Sequence, residues 1–340
     1  MYQFTRLGLV FATMKTMKGV NFGGWLVLER FITPSIFKDT DVKDEYSLSL
    51  LGEKYRNKIK KHHENFITEE DFKWLSKRVE LIRIPVGYWV FGDEKPFVGS
   101  IEQLDWALRM AEKYKLKVLI DIHGAPGSQN GLAHSGKAGD CGWLSDKTCR
   151  DKTLDITLKI AKRYKENLSF WGIELLNEPK LKKGSFWRYI SYYKKAKKLI
   201  LKKNPRIKIF ISDWYVPWLG LFAACIVGVG LDCHFYPAFG DAKKRSKTKI
   251  FKRTRSYGRF LRFSNLIRPV IIGEWGLVMG QAYRRLSSQA EKDNTLKEYA
   301  NLQLNNYKKA LAWFYFPYES EGRGTWSFRD MIEKGLIKPK

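Results

Sequence analysis

The chain has 340 residues, 44% of them hydrophobic and 15% aromatic, and its 62 Lys and Arg against 35 Asp and Glu give a formal net charge of +27. This composition supports a large apolar core and excludes a disordered, collagen-like or disulfide-dense chain. The positive charge favours polyanionic partners, although lysines that coat solvated helix faces would produce the same total.

Eight short apolar runs, rich in β-branched and aromatic residues, alternate with amphipathic helical stretches along the chain. They begin at Gly19, Glu80, Val118, Gly172, Ile207, Gly230, Val270 and Leu311. Alternating strands and helices indicate repeated βα units and a parallel sheet. Because no linker or composition break divides the chain, we predict a single-domain α/β fold. It is a (β/α)8 TIM barrel over residues 18–340 that follows an N-terminal extension over residues 1–17.

The segments between the strands carry helix signals. Thr68 followed by Asp71 predicts an N-cap in front of an apolar helix face. Further helices are predicted over residues 101–115, 151–166, 186–203 and 295–309. The uncharged run over residues 215–231 contains Pro and Gly and is shorter than the roughly 20 residues of a membrane span. For this run we predict a loop that leads into a buried strand.

The four cysteines are Cys141, Cys149, Cys225 and Cys233. None has the CxxC spacing of a zinc site or a redox pair. Four free thiols are the favoured interpretation, and a disulfide between Cys141 and Cys149 is the alternative.

Polar residues follow the predicted strands at their C-terminal ends. They are Asn21 and Trp25, Arg83, Asp121 and His123, Asn177 and Glu178, Asp213 and Trp214, His234 and Tyr236, and Glu274 and Trp275. The active site of a (β/α)8 barrel lies at this face. The sequence therefore predicts an active site built from several strand ends.

Two glutamates, Glu178 in LLNEP and Glu274 in IIGEWG, directly follow apolar strands on opposite sides of the predicted barrel mouth. Glycoside cleavage uses such a pair, one carboxyl protonated to help the leaving oxygen depart and the other ionised. Retaining enzymes hold the two carboxyls about 5–5.5 Å apart and inverting enzymes roughly 6.5–9.5 Å apart. The alternative interpretation is that these glutamates form a buried salt bridge with Arg83.

Several longer motifs carry a resemblance to a known family. They are KGVNFGGWLVLERFITPSIF, LIRIPVGYWVF, IDIHGAPGSQNG, GIELLNEP, HFYPAF, GEWG and the late GLIKP stretch. From about Lys18 to near the C-terminus the chain resembles glycoside hydrolase family 5, specifically its exo-β-1,3-glucanase-like members. The resemblance implies a TIM barrel that hydrolyses β-glucosides with retention of configuration.

The resemblance also implies catalytic roles at the matching positions. Glu178 matches the acid/base of the NEP motif and Glu274 the nucleophile of the GEW motif. Arg83 matches the arginine that holds the nucleophile ionised, as a fixed guanidinium does for a nearby carboxylate. Tyr236 matches the tyrosine that hydrogen-bonds the nucleophile. In support, His234 matches the histidine near the acid/base and Asn177 the asparagine that holds the sugar 2-hydroxyl.

Substrate-binding positions are predicted around this centre. His123 and Glu29 match groups that bind hydroxyls of the terminal glucose, and Phe31, His134, Trp214 and Tyr318 complete the predicted set. Buried core histidines at positions 123 and 234, and a surface salt bridge at Glu29, are the alternative interpretations. No cofactor is implied, and no metal, because the histidines lack ligand spacing and the chemistry needs only carboxylates.

The chain departs from the family pattern at positions around the substrate. Leu132, Ala133 and His134 stand where the family has Phe-Asp-Asn. Arg30 and Phe31 replace the usual Pro and Tyr after Glu29, and Phe316-Pro317-Tyr318 stands where a Trp-x-Trp pair is typical. These departures leave the catalytic motifs intact and bear on linkage and on the exo mode.

The leading hypothesis is an exo-acting β-1,3-glucanase or β-glucosidase with a β-glucan substrate. The alternatives are the same chemistry on β-1,6-glucan or in an endo mode, and a catalytically silent barrel that binds cell-wall polymer. The acid-free basic run Lys243–Arg262 predicts contact with an anionic cell-wall surface, or else a solvated helix face. Nucleic acid is not predicted as a partner, because no recognised nucleic-acid module is present.

Overall fold

The structure is a computed structural model that describes residues 15–239 and 246–338. The predicted N-terminal extension over residues 1–17 therefore falls almost entirely outside the described residues. Met17 is described, and it opens the first strand of the barrel. Part of the basic run, residues 243–245, also lies outside the described residues.

Eight parallel strands hydrogen-bond in chain order and close into a barrel, β8 pairing with β1. They are β1 (Met17–Asn21), β2 (Leu81–Gly87), β3 (Lys117–Gly124), β4 (Phe170–Glu174), β5 (Lys208–Ser212), β6 (Gly230–Phe235), β7 (Val270–Trp275) and β8 (Ala312–Tyr315). The prediction of a single-domain (β/α)8 barrel is confirmed. The strands read as continuous apolar runs because a parallel sheet covered by helices is buried on both faces.

The helices surround the barrel. They are α1 (Glu45–Leu50), α2 (Glu53–Asn65), α3 (Glu69–Ser76), α4 (Ile101–Lys113), α5 (Lys147–Arg163), α6 (Phe186–Lys203), α7 (Pro217–Val227), α8 (Lys247–Ser264), α9 (Gln281–Arg284), α10 (Gln289–Tyr307) and α11 (Phe328–Glu333). The capping box predicted for Thr68 and Asp71 begins α3. The five helices predicted between strands are present as α3, α4, α5, α6 and α10, with ends that differ by up to six residues. Helices α1, α2, α7, α9 and α11 were not predicted.

The loop predicted ahead of the sixth strand is wrong, because Pro217–Val227 forms helix α7. Its Gly220 does not mark a turn: a Cβ there would lie 2.7 Å from Cα of Asp213 and 2.9 Å from a methyl of Leu231. The glycine therefore allows the helix to approach the sheet closely. In residues 15–239 and 246–338, no helix has both the length and the apolar character that crossing a bilayer requires.

Two other sequence features are resolved by the fold. The described part of the basic run forms α8, whose N-cap is Ser246. All four cysteines are free thiols; Cys233 is buried in β6, and the other three are partly exposed.

The interior of the barrel changes character along the strands. Its N-terminal layer is a buried apolar cluster of Leu81, Leu119, Phe210, Ile271, Leu311, Ala312 and Phe314. Alternate residues of a strand face the same side, so Arg83 and Asp121 enter the interior one layer nearer the C-terminal ends. Irregular register between Cys233 and His234, and between Ile272 and Trp275, then re-aims the ends of β6 and β7. The apolar layer thus supports a polar layer at the mouth.

Candidate active site

A cavity of about 460 Å³ opens at the C-terminal ends of the strands. It is lined by Glu29, Phe31, Leu132, His134, Glu178, Asp213, Tyr215, Pro217, His234, Phe235, Tyr236, Phe239, Arg253, Tyr257, Glu274, Phe316 and Trp326. The lining combines carboxylates at the floor with aromatic rings on the walls. Such a cavity suits a ligand that needs hydrogen bonds at one end and flat apolar contact around it.

Glu178 stands just after β4 in a turn whose backbone is left-handed, with φ of +43°. Its Oε1 lies 2.6 Å from Nδ1 of His234, and Tyr215 also hydrogen-bonds its carboxylate. The Glu178 carbonyl accepts a 3.2 Å hydrogen bond from the side-chain amide of Asn130. A residue other than glycine in this conformation is strained and needs such support. The turn fixes the carboxylate at the cavity floor.

Glu274 lies at the end of β7, across the mouth from Glu178. Its Oε1 accepts a 3.1 Å hydrogen bond from Nη1 of Arg83, and its Oε2 accepts one of 3.0 Å from the hydroxyl of Tyr236. Nδ1 of His234 lies 3.7 Å from the same Oε2. One oxygen of each glutamate and a ring nitrogen of His234 all lie within 4.8 Å of one another. Carboxyls this close match retaining geometry better than inverting geometry.

Arg83 organises the polar layer beneath the two glutamates. Its side chain is fully buried and donates hydrogen bonds to Oδ1 of Asn21 and of Asn177, each 3.0 Å long. It also pairs with Glu174 at 2.7 Å and with Asp121 at 3.0 Å. Burial alone would lower the pKa of Arg83, but the surrounding carboxylates raise it well above its usual value. The guanidinium is therefore a permanent charge that holds these side chains in place.

The pKa values at the floor are set by burial and by two cations. Burial favours the neutral form of Glu178, but the hydrogen bond and charge of His234 outweigh it and lower the pKa of that carboxyl. Burial alone would lower the pKa of His234. The negative charge of Glu274, and the hydrogen bonds of His234 to Asp232 and Glu178, instead raise that pKa well above 6.5. Burial raises the pKa of Glu274, and the positive charges of His234 and Arg83 lower it; burial outweighs them, so the pKa is raised. The floor therefore holds a proton between Glu178 and His234.

The remaining predicted polar residues lie close to this floor. His123 is buried, with Nδ1 2.6 Å from Oδ2 of Asp121 and Nε2 3.5 Å from the side-chain amide of Asn177. Glu29 lines the cavity, and burial together with the charges of Glu274 and Glu178 raises its pKa well above the usual value. The structure thus brings Glu29, His123 and Asn177 to the same end of the barrel as the paired glutamates.

His134 contacts the predicted acid/base. Its Nε2 lies 3.5 Å from Oε2 of Glu178 and accepts a 2.9 Å hydrogen bond from the Asn130 amide. Burial lowers the pKa of His134 to about 4, so the imidazole is neutral at neutral pH. Its neighbour Leu132 lines the cavity with half of its surface exposed.

Two predicted substrate-binding residues do not reach the cavity. Trp214 is buried against Phe186 and Tyr189. Tyr318 is buried beside Phe22, and its hydroxyl donates a 2.7 Å hydrogen bond to Asp71, which forms the capping box of α3 with Thr68. Both side chains hold the barrel wall together, so we withdraw them from the substrate-binding set.

Sequence reasoning missed Tyr215, which takes the place predicted for Trp214. Both residues have left-handed backbone, with φ of +52° at Trp214 and +59° at Tyr215. The Asp213 carboxylate accepts a 2.8 Å hydrogen bond from the backbone amide of Tyr215. This turn directs Trp214 into the core and Tyr215 into the cavity. An Asp able to hold such a turn is the available sequence signal, and it is a weak one.

The cavity wall contains two further aromatics that the sequence did not single out, Phe239 and Trp326. The ring centre of Trp326 lies 5.1 Å from the ring centre of Phe31 and 6.0 Å from that of Phe239. The predicted residue Phe31 is half exposed at this rim. Together the three rings form an aromatic wall beside Tyr236.

Within residues 15–239 and 246–338, two buried groups of side chains have the proximity that a metal site needs: Glu174, Asp232 and His234, and Glu178, His234 and Glu274. Three of their carboxyls already have a cationic partner, because Arg83 pairs with Glu174 and Glu274, and His234 pairs with Glu178. The chemistry of the donors therefore suits proton transfer and nucleophilic attack without a metal.

A closed parallel barrel with paired carboxylates at its mouth defines the chain as a glycoside hydrolase. A family model described as Cellulase (glycosyl hydrolase family 5) matches residues 54–319. The chain therefore belongs to glycosyl hydrolase family 5.

Relatives agree with this family, and a solved structure shares the fold. "Probable glucan 1,3-beta-glucosidase A" of Emericella nidulans is 31% identical, over 94% of this chain and 89% of its own. "Glucan 1,3-beta-glucosidase" of Pichia angusta is 40% identical, over 58% of this chain and 48% of its own. A rutinosidase from Aspergillus niger shares the fold with a TM-score of 0.81 at 19% identity, over 96% of this chain and 98% of its own.

Proposed function

We propose that this chain is a retaining exo-acting β-1,3-glucanase or β-glucosidase that releases glucose from β-glucans. The observation that carries the retaining assignment is the approach of Glu178 and Glu274, whose nearest oxygens lie within 4.8 Å. The β-1,3-glucan substrate is supported by relatives 30–40% identical that are named glucan 1,3-beta-glucosidases.

The reaction proceeds in two displacements. Glu274 attacks the anomeric carbon while Glu178 gives a proton to the departing glycosidic oxygen, so the carbon–oxygen bond breaks as the glycosyl ester forms. Glu178 then takes a proton from water, which attacks the same carbon and releases Glu274. Asn177, held by Arg83 at 3.0 Å, is placed to hold the sugar 2-hydroxyl. Tyr236 and Arg83 orient the attacking carboxylate through the two hydrogen bonds described above.

His234 stores the proton that Glu178 delivers. The charge of Glu274 raises the pKa of His234, and that charge disappears when Glu274 forms the ester. The pKa of His234 then falls, which moves the proton across the 2.6 Å contact to Glu178 and on to the leaving oxygen. The loss of charge at one glutamate thus promotes proton release at the other.

The same chemistry on β-1,6-glucan is the second candidate, and the loop with Leu132, Ala133 and His134 favours it. Leu132 is about half exposed in the cavity lining, and Leu132 and Ala133 offer neither an aromatic ring nor a carboxylate to fix a leaving sugar. Glu29, Phe31 and the aromatic wall support binding of a terminal glucose, which favours the exo mode.

Two measurements test this function. Proton NMR of the first-formed product should show β-glucose before mutarotation, and an initial α-anomer would mean inversion. Digestion of laminarin and pustulan side by side should give glucose as the first product, faster from laminarin. Oligosaccharides as first products would indicate an endo mode. If neither glucan nor aryl β-glucosides are hydrolysed, the chain is a catalytically silent barrel that binds polymer.

We also propose that the basic surface around α8 helps hold the enzyme on an anionic surface. The support is the helix Lys247–Ser264, which contains no acid. If so, binding falls with added salt while hydrolysis of small substrates is unchanged.

A further inference from the structure

Three consecutive helices, α6, α7 and α8, form one side of the barrel, where α7 packs against both of the others. None of the three contains Asp or Glu. α6 and α8 are rich in Lys and Arg, whereas α7, with the sequence PWLGLFAACIV, has no charged residue at all. An apolar helix thus lies between two cationic ones.

Large aromatic side chains are exposed along this side. They are Trp187, Trp218, Phe222 and Phe263, with exposed fractions of 66%, 56%, 55% and 51%, and we call them the aromatic stripe. Trp218 and Phe222 are four residues apart and share one face of α7. The ring centres of Trp218 and Phe263 lie 5.4 Å apart, and Phe186 joins Phe222 to Trp187. The stripe therefore continues across all three helices, which is unusual for a surface exposed only to water.

Exposed cations flank the stripe on both sides. Those on α6 are Arg188, Lys194 and Lys198, and those on α8 are Arg255, Arg259 and Arg262. Within residues 15–239 and 246–338, none of these six forms an ion pair with a carboxylate. Their charge is available to an external anion.

A second cavity, of about 270 Å³, lies at the other end of the same side, near the N-terminal ends of β5 and β6. Leu201 and Ile267 contribute apolar walls, and Lys197, Lys208 and Arg268 contribute the charges, again without an acid. This cavity therefore combines apolar side chains with cations and no acid, as the aromatic stripe and its flanks do.

We propose that the side formed by α6, α7 and α8 docks on a lipid bilayer with anionic headgroups. The aromatic stripe enters the boundary between headgroups and acyl chains, where Trp and Phe side chains bind well, and the flanking cations contact the headgroups. Lys and Arg can do both at once, with the apolar stem in the boundary and the charge in water.

The composition of the surface favours a membrane over other occupants. A second copy of the chain would bring like charges together, with +27 on each copy. A neutral glucan would leave the cations without a role. An acidic polysaccharide would use the cations, but α7 has no hydroxyl, amide or charged side chain to hydrogen-bond sugar hydroxyls. A bilayer uses both the apolar helix and its cationic flanks.

Co-sedimentation with vesicles tests the proposal on the full chain. Vesicles of phosphatidylcholine with about one third phosphatidylserine should bind the protein, and pure phosphatidylcholine should bind it at least about tenfold more weakly. Raising the salt from about 0.1 M to about 1 M shortens the Debye length from about 10 to about 3 Å and should release most of the protein. Brominated acyl chains in the vesicles should quench part of the Trp fluorescence, and the double variant W187F/W218F should lose that quenching.

Paired variants separate the two contributions. W218S/F222S removes half of the stripe and should abolish binding at either salt, whereas L50S/L51S, which changes two exposed leucines on α1 and just after it, should bind as wild type. R259E/R262E should lower the partition coefficient by roughly thirty-fold or more, since each cation at an anionic surface contributes roughly fivefold. K60E/K61E on α2 makes the same charge change away from the stripe and should have a smaller effect. All four should hydrolyse an aryl β-glucoside at the wild-type rate, which reports a folded barrel.

Three results would overturn the proposal. The first is a wild-type protein that does not bind anionic vesicles at low salt. The second is equal loss of binding in W218S/F222S and L50S/L51S. The third is a dimer in light scattering that W218S/F222S converts to monomer while vesicle binding is unaffected, since the stripe would then join two copies. None of these outcomes depends on which glucan the active site cleaves.

Discussion

Glu178 and His234 are joined by a 2.6 Å contact between Oε1 and Nδ1. The same nitrogen lies 3.7 Å from Oε2 of Glu274. A single imidazole therefore touches both glutamates that the proposed mechanism uses. Because the charge of Glu274 raises the pKa of this imidazole and the imidazole lowers the pKa of Glu178, the three groups titrate as one unit.

When azide is added, variants of the two glutamates should give glucosyl azides of opposite anomeric configuration. Glu274→Gln should reduce turnover of β-glucosides by at least about a thousandfold, because the attacking carboxylate is lost. In Glu274→Gly, azide fits where the carboxylate was and should restore turnover with an α-glucosyl azide as product. The product's anomeric configuration is read by proton NMR.

Glu178→Ala is the matched control. It keeps the nucleophile, so azide should attack the glycosyl ester from the other side and give the β-glucosyl azide. Activity of Glu274→Gln above a few per cent of wild type, or the same azide anomer from both variants, would contradict the assignment of the two glutamates.

Tyr215→Phe tests the residue that sequence reasoning missed. The Tyr215 hydroxyl hydrogen-bonds the Glu178 carboxylate, which favours its ionised form and lowers its pKa. Without that hydroxyl the pKa of Glu178 rises, so the alkaline limb of the kcat/KM profile should move to higher pH. One hydrogen bond to a charged group is worth about 1.5–3 kcal/mol, so kcat should fall roughly ten- to a hundredfold. Trp214→Phe, one residue away in the core, should leave the pH profile in place, and an equal shift in both variants would indicate a general disturbance of the turn.

The barrel and its catalytic motifs could be predicted because they follow from chain-wide patterns. Buried parallel strands require continuous apolar runs, and a carboxylate directly after such a run has few structural roles, so Glu178 and Glu274 stood out. Helix α7 could not be recognised in this way. It is apolar nearly all round, so it lacks the 3.6-residue period, and Gly220 gave the appearance of a turn although it serves close packing on Asp213.

The cavity wall was harder to predict than the cavity floor. Whether Trp214 or Tyr215 faces the substrate depends on two consecutive left-handed residues, which no propensity favours for aromatic side chains. Tyr318 depends on a contact with Asp71, distant in sequence. These placements result from tertiary packing and local backbone strain, and a single sequence encodes neither in a visible pattern.

His63→Leu should flatten the dependence of stability on pH. His63 is buried on α2, and within the described residues neither ring nitrogen has a hydrogen-bond partner. Burial, and the nearby His62, lower its pKa to about 3. The unfolded chain, with a pKa of about 6.5, binds more protons between these two values, so the free energy of unfolding falls as pH drops through this window. Between pH 7 and 5 the wild type should lose about 2 kcal/mol more than the variant.

Urea unfolding at both pH values measures this difference. At pH 7 the imidazole is mostly neutral in both states, so the comparison there reports mainly the packing effect of the substitution rather than its titration. A slope with pH that is identical in the two proteins would show that His63 titrates normally in the folded chain.

The last prediction concerns the loop with Leu132, Ala133 and His134. His134 Nε2 lies 3.5 Å from Oε2 of Glu178 and accepts a hydrogen bond from Asn130, and its pKa of about 4 keeps it neutral near neutral pH. It therefore neither supplies charge to the leaving sugar nor replaces the aromatic ring and carboxylate that family members have beside it.

We expect weak discrimination between β-1,3 and β-1,6 linkages, since the loop gives the leaving sugar few directional contacts. Introducing L132F/A133D/H134N should sharpen the β-1,3 preference, measured as the ratio of kcat/KM on laminaribiose to that on gentiobiose. A few kcal/mol of restored contacts moves such a ratio by tens- to hundredfold. The single variant H134N separates the imidazole from the other two positions: it should alter rates on both disaccharides alike, because its contact is with Glu178 rather than with the leaving sugar. A ratio that stays the same in the triple variant would show that linkage choice is set elsewhere, with the aromatic wall of Phe31, Phe239 and Trp326 the next place to look.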